Sequence, residues 1–231
     1  MHLVAPRVKR PDQEPDAPSA RRYHAPQRAQ AAAQTRAGIR AAASALFVEQ
    51  GYVATTIRDI ARAAGVGERT VYAAFPTKAD LFRHVLDAAT VGDDQPVAVA
   101  SRPEIQDAFR QTDPRAAISQ AIDYTVALFE RAGDLIMVTV QAADADPDMR
   151  AAADAGSRAT RQLWRTLTIA LHDTGALRRG LTAQTAADIL YALASPQTHQ
   201  LLRRHCSWTT QRYRTWLTSA VTEQLLAGRS G

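Results

Sequence analysis

Beyond about residue 31, apolar residues recur at three- and four-residue steps, and Ala, Leu, Arg and Gln dominate. That is the pattern of helices with one buried stripe each, and no stretch alternates as a strand would. The spacing predicts a first helix over 32–50, with Ile39, Ala42, Ala43, Leu46 and Phe47 on one stripe and Gly51 as its left-handed cap. Two short helices follow near 56–64 and 68–75. Thr77 caps the next, with Asp80 three residues on and Leu81, Phe82, Val85 and Leu86 as its buried face. Residues 92–112, rich in Gly, Asp and Pro, read as a loose connection. Asp113-Pro114 then opens a helix to about Glu130, and Gly133, Asp146-Pro147, Gly175 and Gly180 punctuate helices near 134–144, 148–173 and 182–194. Ser195-Pro196 interrupts the chain before a short segment to Arg204. A last helix over 210–226 turns Tyr213, Trp216, Leu217, Ala220, Val221, Gln224 and Leu225 to one broad face and stops at Gly228. The fold class is all-α.

Composition narrows the class further. A length of 231 residues with 46% hydrophobic and 22% charged residues suits a globular protein of one large or two small domains. Cys206 is the only cysteine, which excludes an intrachain disulfide and a Cys-rich metal site. No run approaches the length of an apolar membrane span, and Arg and Pro stand where a secretory leader would be apolar, so a cytoplasmic protein is expected. The net charge of +5 is unevenly placed. Residues 1–31 hold six basic and three acidic residues, 32–90 seven and five, and the remainder fifteen of each. An excess confined to the first ninety residues points to an N-terminal module that meets a polyanion, or to nothing more than solvated helix surfaces. Residues 1–31 carry five prolines and read as a disordered arm. Its Arg21, Arg22 and Arg28 suit either a DNA groove or a solvated tail.

The informative stretch runs from Thr56 to Phe82. A helix-turn-helix crosses two short helices steeply, so the first needs a small residue at the crossing and the turn needs one residue that tolerates positive φ. Ala61 and Gly65 meet those needs. Ile57, Ile60, Ala64, Val66, Val71 and Ala74 pin the pair to the underlying helix, which leaves Glu68, Arg69, Thr70, Tyr72 and Ala73 on the outer face of the second helix. Such a helix fits the DNA major groove and reads base edges near its N-terminus. Arg69 is the candidate for a bidentate guanine contact and Thr70 for a thymine methyl. Tyr72, Lys78 and the helix start at Thr56 suit phosphate oxygens. A charged but merely solvated three-helix unit has the same spacing.

The run from Ile39 to Phe82 closely resembles the DNA-binding domain of the TetR family of transcriptional regulators. The likeness is carried by Ala45 to Tyr52 (ALFVEQGY), Thr55 to Ala61 (TTIRDIA), Ala64-Gly65-Val66, Val71-Tyr72, Phe75 and Lys78 to Phe82 (KADLF). The run from Leu201 to Leu217, with Leu225-Leu226 beyond it, is similar to the closing helices of a subgroup of that family. Three departures stand out. Gly67 occupies the place where many members have a Ser or Thr cap, Ala73 and Ala74 replace larger polar residues, and Glu68 lies near the phosphates, where it selects a cytosine amino group or disfavours non-cognate DNA. After the arm at 1–31, the resemblance implies a DNA-binding domain at 32–90 and a helical effector-binding and dimerising domain at 91–231. It further implies a homodimer on a palindromic operator, repression, and release by a small-molecule effector.

The effector pocket is expected among the helices between 113 and 194, where Tyr124, Phe129, Met137, Trp164 and His172 are best able to line an apolar cavity with polar handles. The last helix is apolar over more than one stripe. With the helix over 182–194 it suggests a four-helix seam made by Leu190, Tyr213, Trp216, Leu217, Val221 and Leu225. An enzyme is not expected: no G-x-S-x-G, H-E-x-x-H or paired Cys ligands occur, and Gly65 to Thr70 follows a helix and lacks the third glycine of a nucleotide loop. No catalytic residue, metal or cofactor is assigned. His199, His205 and Cys206 lie close in sequence and suit a metal, an oxidation sensor or a structural role. The rival to DNA binding is a helical interaction module without sequence specificity.

Overall fold

The structure is a computed structural model that describes residues 19–91 and 102–227. The start of the expected arm, residues 92–101 of the 92–112 connection and the stop at Gly228 lie outside those residues. The chain divides into two compact units, 1–37 and 38–231. In the first, the described residues are helical, with the Thr35 hydroxyl donating to the Ala31 carbonyl at 2.9 Å.

Helix α1 spans Ser19–Ala54, so helix replaces the disordered arm expected over residues 19–31. The run of Ala and Gln from Ala29 to Gln34 has high helix propensity, which outweighs the proline content that suggested disorder. Gly51 breaks the helix as expected, but by a different route. Its φ of 81° and ψ of 166° lie in a region open essentially only to glycine, and a further helical turn follows it. A Cβ there would meet no neighbour within 4 Å, so the cost of adding one is purely conformational. Gly51→Ala is therefore expected to destabilise the protein by about 1 kcal/mol, read as a lowered Tm.

Helices α2 (Ile57–Ala63) and α3 (Glu68–Ala74) follow, then α4 (Lys78–Val91). Thr77 opens α4 as a cap, its hydroxyl accepting from the Asp80 amide at 2.9 Å. Beyond the undescribed stretch, α5 occupies Pro103–Arg110, longer than the loose connection suggested. Proline at its first position costs no helical hydrogen bond and presets φ.

Helix α6 runs without interruption over Pro114–Ala142 and corrects the expected break at Gly133. This glycine is buried, and a Cβ on it would lie 3.5 Å from Phe129 Cβ and 3.6 Å from His199 Nδ1. Those are ordinary van der Waals distances, so Gly133 marks neither a turn nor a clash, and α6 passes through it. Helix α7 spans Pro147–Asp173 and is capped by Asp146, whose carboxylate accepts from the Asp148 and Met149 amides at 2.9 and 3.1 Å. Helices α8 (Ala183–Leu193) and α9 (Pro196–Gln200) lead into a π-helical turn, Leu201–His205, and α10 closes the described chain at Thr210–Leu225. Among the described residues the only β pairing is an isolated bridge between Leu177 and Leu226.

Two apolar clusters hold the second unit. One joins α6, α7, α8 and α10 through Ile118, Ile122, Trp164, Leu167, Leu190 and Tyr213. The other gathers Ile39, Phe47, Ile60, Val71, Phe75 and Phe82 from the first four helices, together with Leu135, Val138, Ala142 and Met149 from α6 and α7. The N-terminal helices thus share their core with the end of α6 and the start of α7.

Candidate nucleic-acid interface

The interface is built from α2, α3 and the turn between them. Thr56 caps α2: its hydroxyl accepts from the Asp59 amide at 3.1 Å and donates to the Asp59 carboxylate at 2.5 Å. That bond is the main reason the Asp59 carboxyl is held below its ordinary range. At the other end the Val66 amide donates to the Ala61 carbonyl at 3.0 Å and the Gly65 amide to the Arg62 carbonyl at 3.2 Å. With Gly65 at φ 67°, this is a Schellman ending that satisfies two orphan carbonyls and fixes the angle at which the chain leaves α2. Ala61, buried at the crossing, admits α3 closely.

Helix α3 starts on Gly67, which supplies no side-chain cap, and turns only Val71 fully inward. Phe75 ends it, fully buried, its amide donating to the Val71 carbonyl at 2.8 Å. A seven-residue helix is far below the length that is stable alone, so these two anchors set its position. Arg69, Thr70 and Ala73 are exposed, and Tyr72 is 51% exposed. A large aromatic left open on a short, anchored helix suits contact with a backbone or base.

Two expected contacts lie elsewhere. The Lys78 ammonium is turned inward, donating to the Tyr52 and Thr55 carbonyls at 2.9 and 3.1 Å and lying 4.2 Å from the centre of the Tyr52 ring. Burial lowers its pKa, with the Asp146 carboxylate opposing. It satisfies carbonyls freed after the break at Gly51, so its ammonium is already engaged within the chain and is not free on the outer face. Thr55, which the sequence left unassigned, does the same work fully buried, donating to the Gly51 carbonyl at 2.7 Å. Burial, aided by the Asp146 carboxylate, raises the Tyr52 hydroxyl to about 12. Glu68 is exposed but engaged, its carboxylate 3.3 Å from Arg58 Nε.

The expected effector residues do not converge on a described cavity. Phe129, Met137 and Trp164 are buried and Tyr124 is half-buried, whereas the His172 side chain is 59% exposed at the end of α7, beside Asp173. His172 is thus a surface residue: its place in the last turn carries it past the core-facing stripe. A groove of about 630 Å³ is lined instead by Trp208, Arg212 and Trp216 among others, and one of about 440 Å³ by Arg158, Arg161 and Asp188 among others. The expected dimer seam also needs correction. Leu190, Tyr213, Leu217, Val221 and Leu225 are fully buried within their own chain, and only Trp216 keeps surface. An apolar stripe shows that a face is covered but not whether the cover is another chain or the same one.

Helix α6 and the segment after α9 meet in a cluster that sequence reasoning missed. The Glu130 carboxylate accepts from Arg203 Nε at 2.9 Å, Arg203 Nη2 at 3.2 Å, His199 Nε2 at 3.1 Å and the Thr210 hydroxyl at 3.1 Å. One turn along α6, Asp134 is forked by Arg204. His205 and Cys206 are exposed, and among the described residues no group of His, Cys, Asp or Glu is placed to hold a metal ion. No helix of the described residues is long and apolar enough to cross a membrane.

A Schellman-locked pair of short helices, with an exposed basic and aromatic face on the second, defines a helix-turn-helix DNA-binding protein. Residues 39–85 match the model of the bacterial regulatory proteins of the tetR family. The fold beyond the head is shared with solved structures. Native NalD, the secondary repressor of the MexAB-OprM multidrug efflux pump in Pseudomonas aeruginosa, is 22% identical, with a TM-score of 0.66 over 87% of this chain and 100% of its own. A transcriptional regulator from Saccharomonospora viridis in complex with choline is 19% identical, with a TM-score of 0.66 over 85% and 100%. SmeT, the repressor of the Stenotrophomonas maltophilia multidrug efflux pump SmeDEF, is 19% identical, with a TM-score of 0.61 over 84% and 91%. No curated protein matches the chain.

Proposed function

We propose that the chain is a ligand-responsive repressor that binds a palindromic operator as a homodimer and leaves it when a small molecule occupies the helical C-terminal part. The observation that carries this reading is the outer face of α3, where Arg69, Thr70, Tyr72 and Ala73 stand exposed on a helix pinned by Val71 and Phe75. Arg69 reads a guanine edge, and Thr70 and Tyr72 contact the groove wall and backbone. Gly67 and the cap at Thr56 bring helix N-termini to phosphates. Two copies set the recognition helices roughly 34–36 Å apart, one DNA turn. The seam between them uses surface the protomer leaves open, as Trp216 does. Support for effector binding comes from similar proteins: SmeT has been seen with triclosan, and the Saccharomonospora viridis regulator with choline. The site of action is the cytoplasm.

The test is selection of bound fragments from a random duplex pool, followed by titration with salt. An inverted repeat is expected to be enriched, and affinity is expected to fall steeply with ionic strength as phosphate contacts release counterions. Enrichment no greater than that of the Arg69→Ala, Tyr72→Ala double variant overturns the reading.

A further inference from the structure

The two N-terminal turns of the helix-turn-helix are joined by a single side-chain bond. Arg58, the second residue of α2, approaches Glu68, the first residue of α3, with Nε 3.3 Å from Oε1. Their side chains are 76% and 48% exposed, so stability is not the gain: a solvent-exposed pair contributes little to folding. Within the helix-turn-helix and α4, the bond differs from its neighbours. Arg62 and Arg83 each use a terminal nitrogen to reach a carboxylate three residues away on their own helix. Arg58 is held through Nε across the turn, and its terminal nitrogens make no bond among the described residues. A guanidinium gripped at Nε presents its Nη pair as a fork, the shape that takes up two phosphate oxygens.

Glu68 by itself is a poor choice for this place. Its charge favours the N-terminus of α3, yet it opposes the phosphates that a recognition helix must pass. Paired with Arg58, the same charge aims a cation at the groove edge, where the starts of α2 and α3 lie together. The carboxylate is then occupied and does not read a cytosine. Resting on the reading of the chain as a DNA-binding regulator, we propose that Arg58 is a phosphate contact and that Glu68 is the positioning residue that orients its guanidinium across the turn.

A double-mutant cycle on the full-length protein tests this, with duplex binding followed by fluorescence anisotropy over a salt series. Arg58→Ala is expected to weaken binding at least tenfold on operator and unrelated duplex alike, and to reduce the salt slope by about 1.8, the value for one phosphate in each of two protomers. Arg58→Lys restores the slope, because it keeps the charge, but removes the dependence on Glu68. Glu68→Gln weakens binding in the wild-type background, although it deletes a negative charge, and strengthens it in the Arg58→Ala background, where only repulsion remains. That reversal of sign is something a merely structural role does not produce. An unchanged slope in Arg58→Ala overturns the proposal, as does a Glu68→Gln that strengthens binding equally in both backgrounds. Absence of wild-type duplex binding overturns the regulator reading along with it. A wild type that binds, loses binding in the Arg69→Ala, Tyr72→Ala variant and gives an additive cycle overturns the brace alone.

Discussion

Phe47→Ala is expected to lower the free energy of unfolding by about 3–5 kcal/mol, the cost of emptying a fully buried aromatic site. Phe47 is wholly buried and central to a three-ring cluster. Its ring centre lies 5.7 Å from that of Tyr52 and 5.0 Å from that of Phe82, and Tyr52 and Phe82 are themselves 5.5 Å apart. Removing the middle ring opens contact between α1 and α4 at once, and the remaining rings cannot close the gap without moving helices. For a chain of this length the loss corresponds to a drop in Tm of roughly 6–20 °C. DNA binding should follow stability, because α3 is held only by residues that share this core. At a temperature between the two midpoints the variant should therefore bind no operator, while well below both it should bind as the wild type does. Calorimetry paired with anisotropy measures both. A Tm within a few degrees of wild type would mean that the cluster is not what holds the head together.

The features that were legible in the sequence are local. The caps at Thr56 and Thr77, the turn at Gly65 and the stripe through Ile39, Ala43 and Phe47 each depend on residues within a few positions of one another, so spacing alone reveals them. Gly133 marks the limit. A glycine inside a helical pattern reads as a break, but here it is buried mid-helix against a histidine 66 positions away, and no local rule detects that cover. The inward bonds of Lys78 were hidden for a related cause: it stands at the start of an exposed-looking helix, and only folding brings the freed carbonyls of Tyr52 and Thr55 beneath it. The apolar faces of α8 and α10 were read correctly as buried faces, but five of the six residues assigned to a seam between chains are covered by their own chain, since periodicity gives the width of a buried stripe and not the identity of its cover. At the recognition helix the outward set was legible because Val71 and Phe75 define the inward one. The Arg58 to Glu68 bond was not, because ten residues and a turn separate its ends.

The Glu130 cluster is expected to make the C-terminal part acid-sensitive in a definite window. Hydrogen bonding from Arg203, with help from His199 and Thr210 and against the cost of burial, holds the Glu130 carboxyl down from 4.5 to about 2. Because the folded state holds that proton less tightly than the unfolded chain, the stabilisation is complete above 4.5 and is lost as pH falls toward 2. His199 acts in the same direction at higher pH. Burial lowers its pKa below 6.5 despite the Glu130 carboxylate, so the unfolded chain is protonated first and stability declines as pH falls below 6.5. The neutral ring fits its surroundings, with Nε2 donating to the carboxylate and the ring between Phe129 and Tyr213, at centre distances of 5.4 and 5.0 Å. Glu130→Ala strands Arg203, His199 and Thr210 together, and after allowance for the partial exposure of the carboxylate it should cost about 2–3 kcal/mol at neutral pH. Melting curves over a pH series separate this from a loss of packing. The wild type should lose Tm steeply between pH 4.5 and 2, and the variant, which has no carboxylate to protonate there, should lose less. Parallel curves would show that the carboxylate is not held as the geometry requires. The cluster also joins α6 to the π-helical turn, so weakening it with acid should loosen α6, α9 and that turn before it reaches the helix-turn-helix.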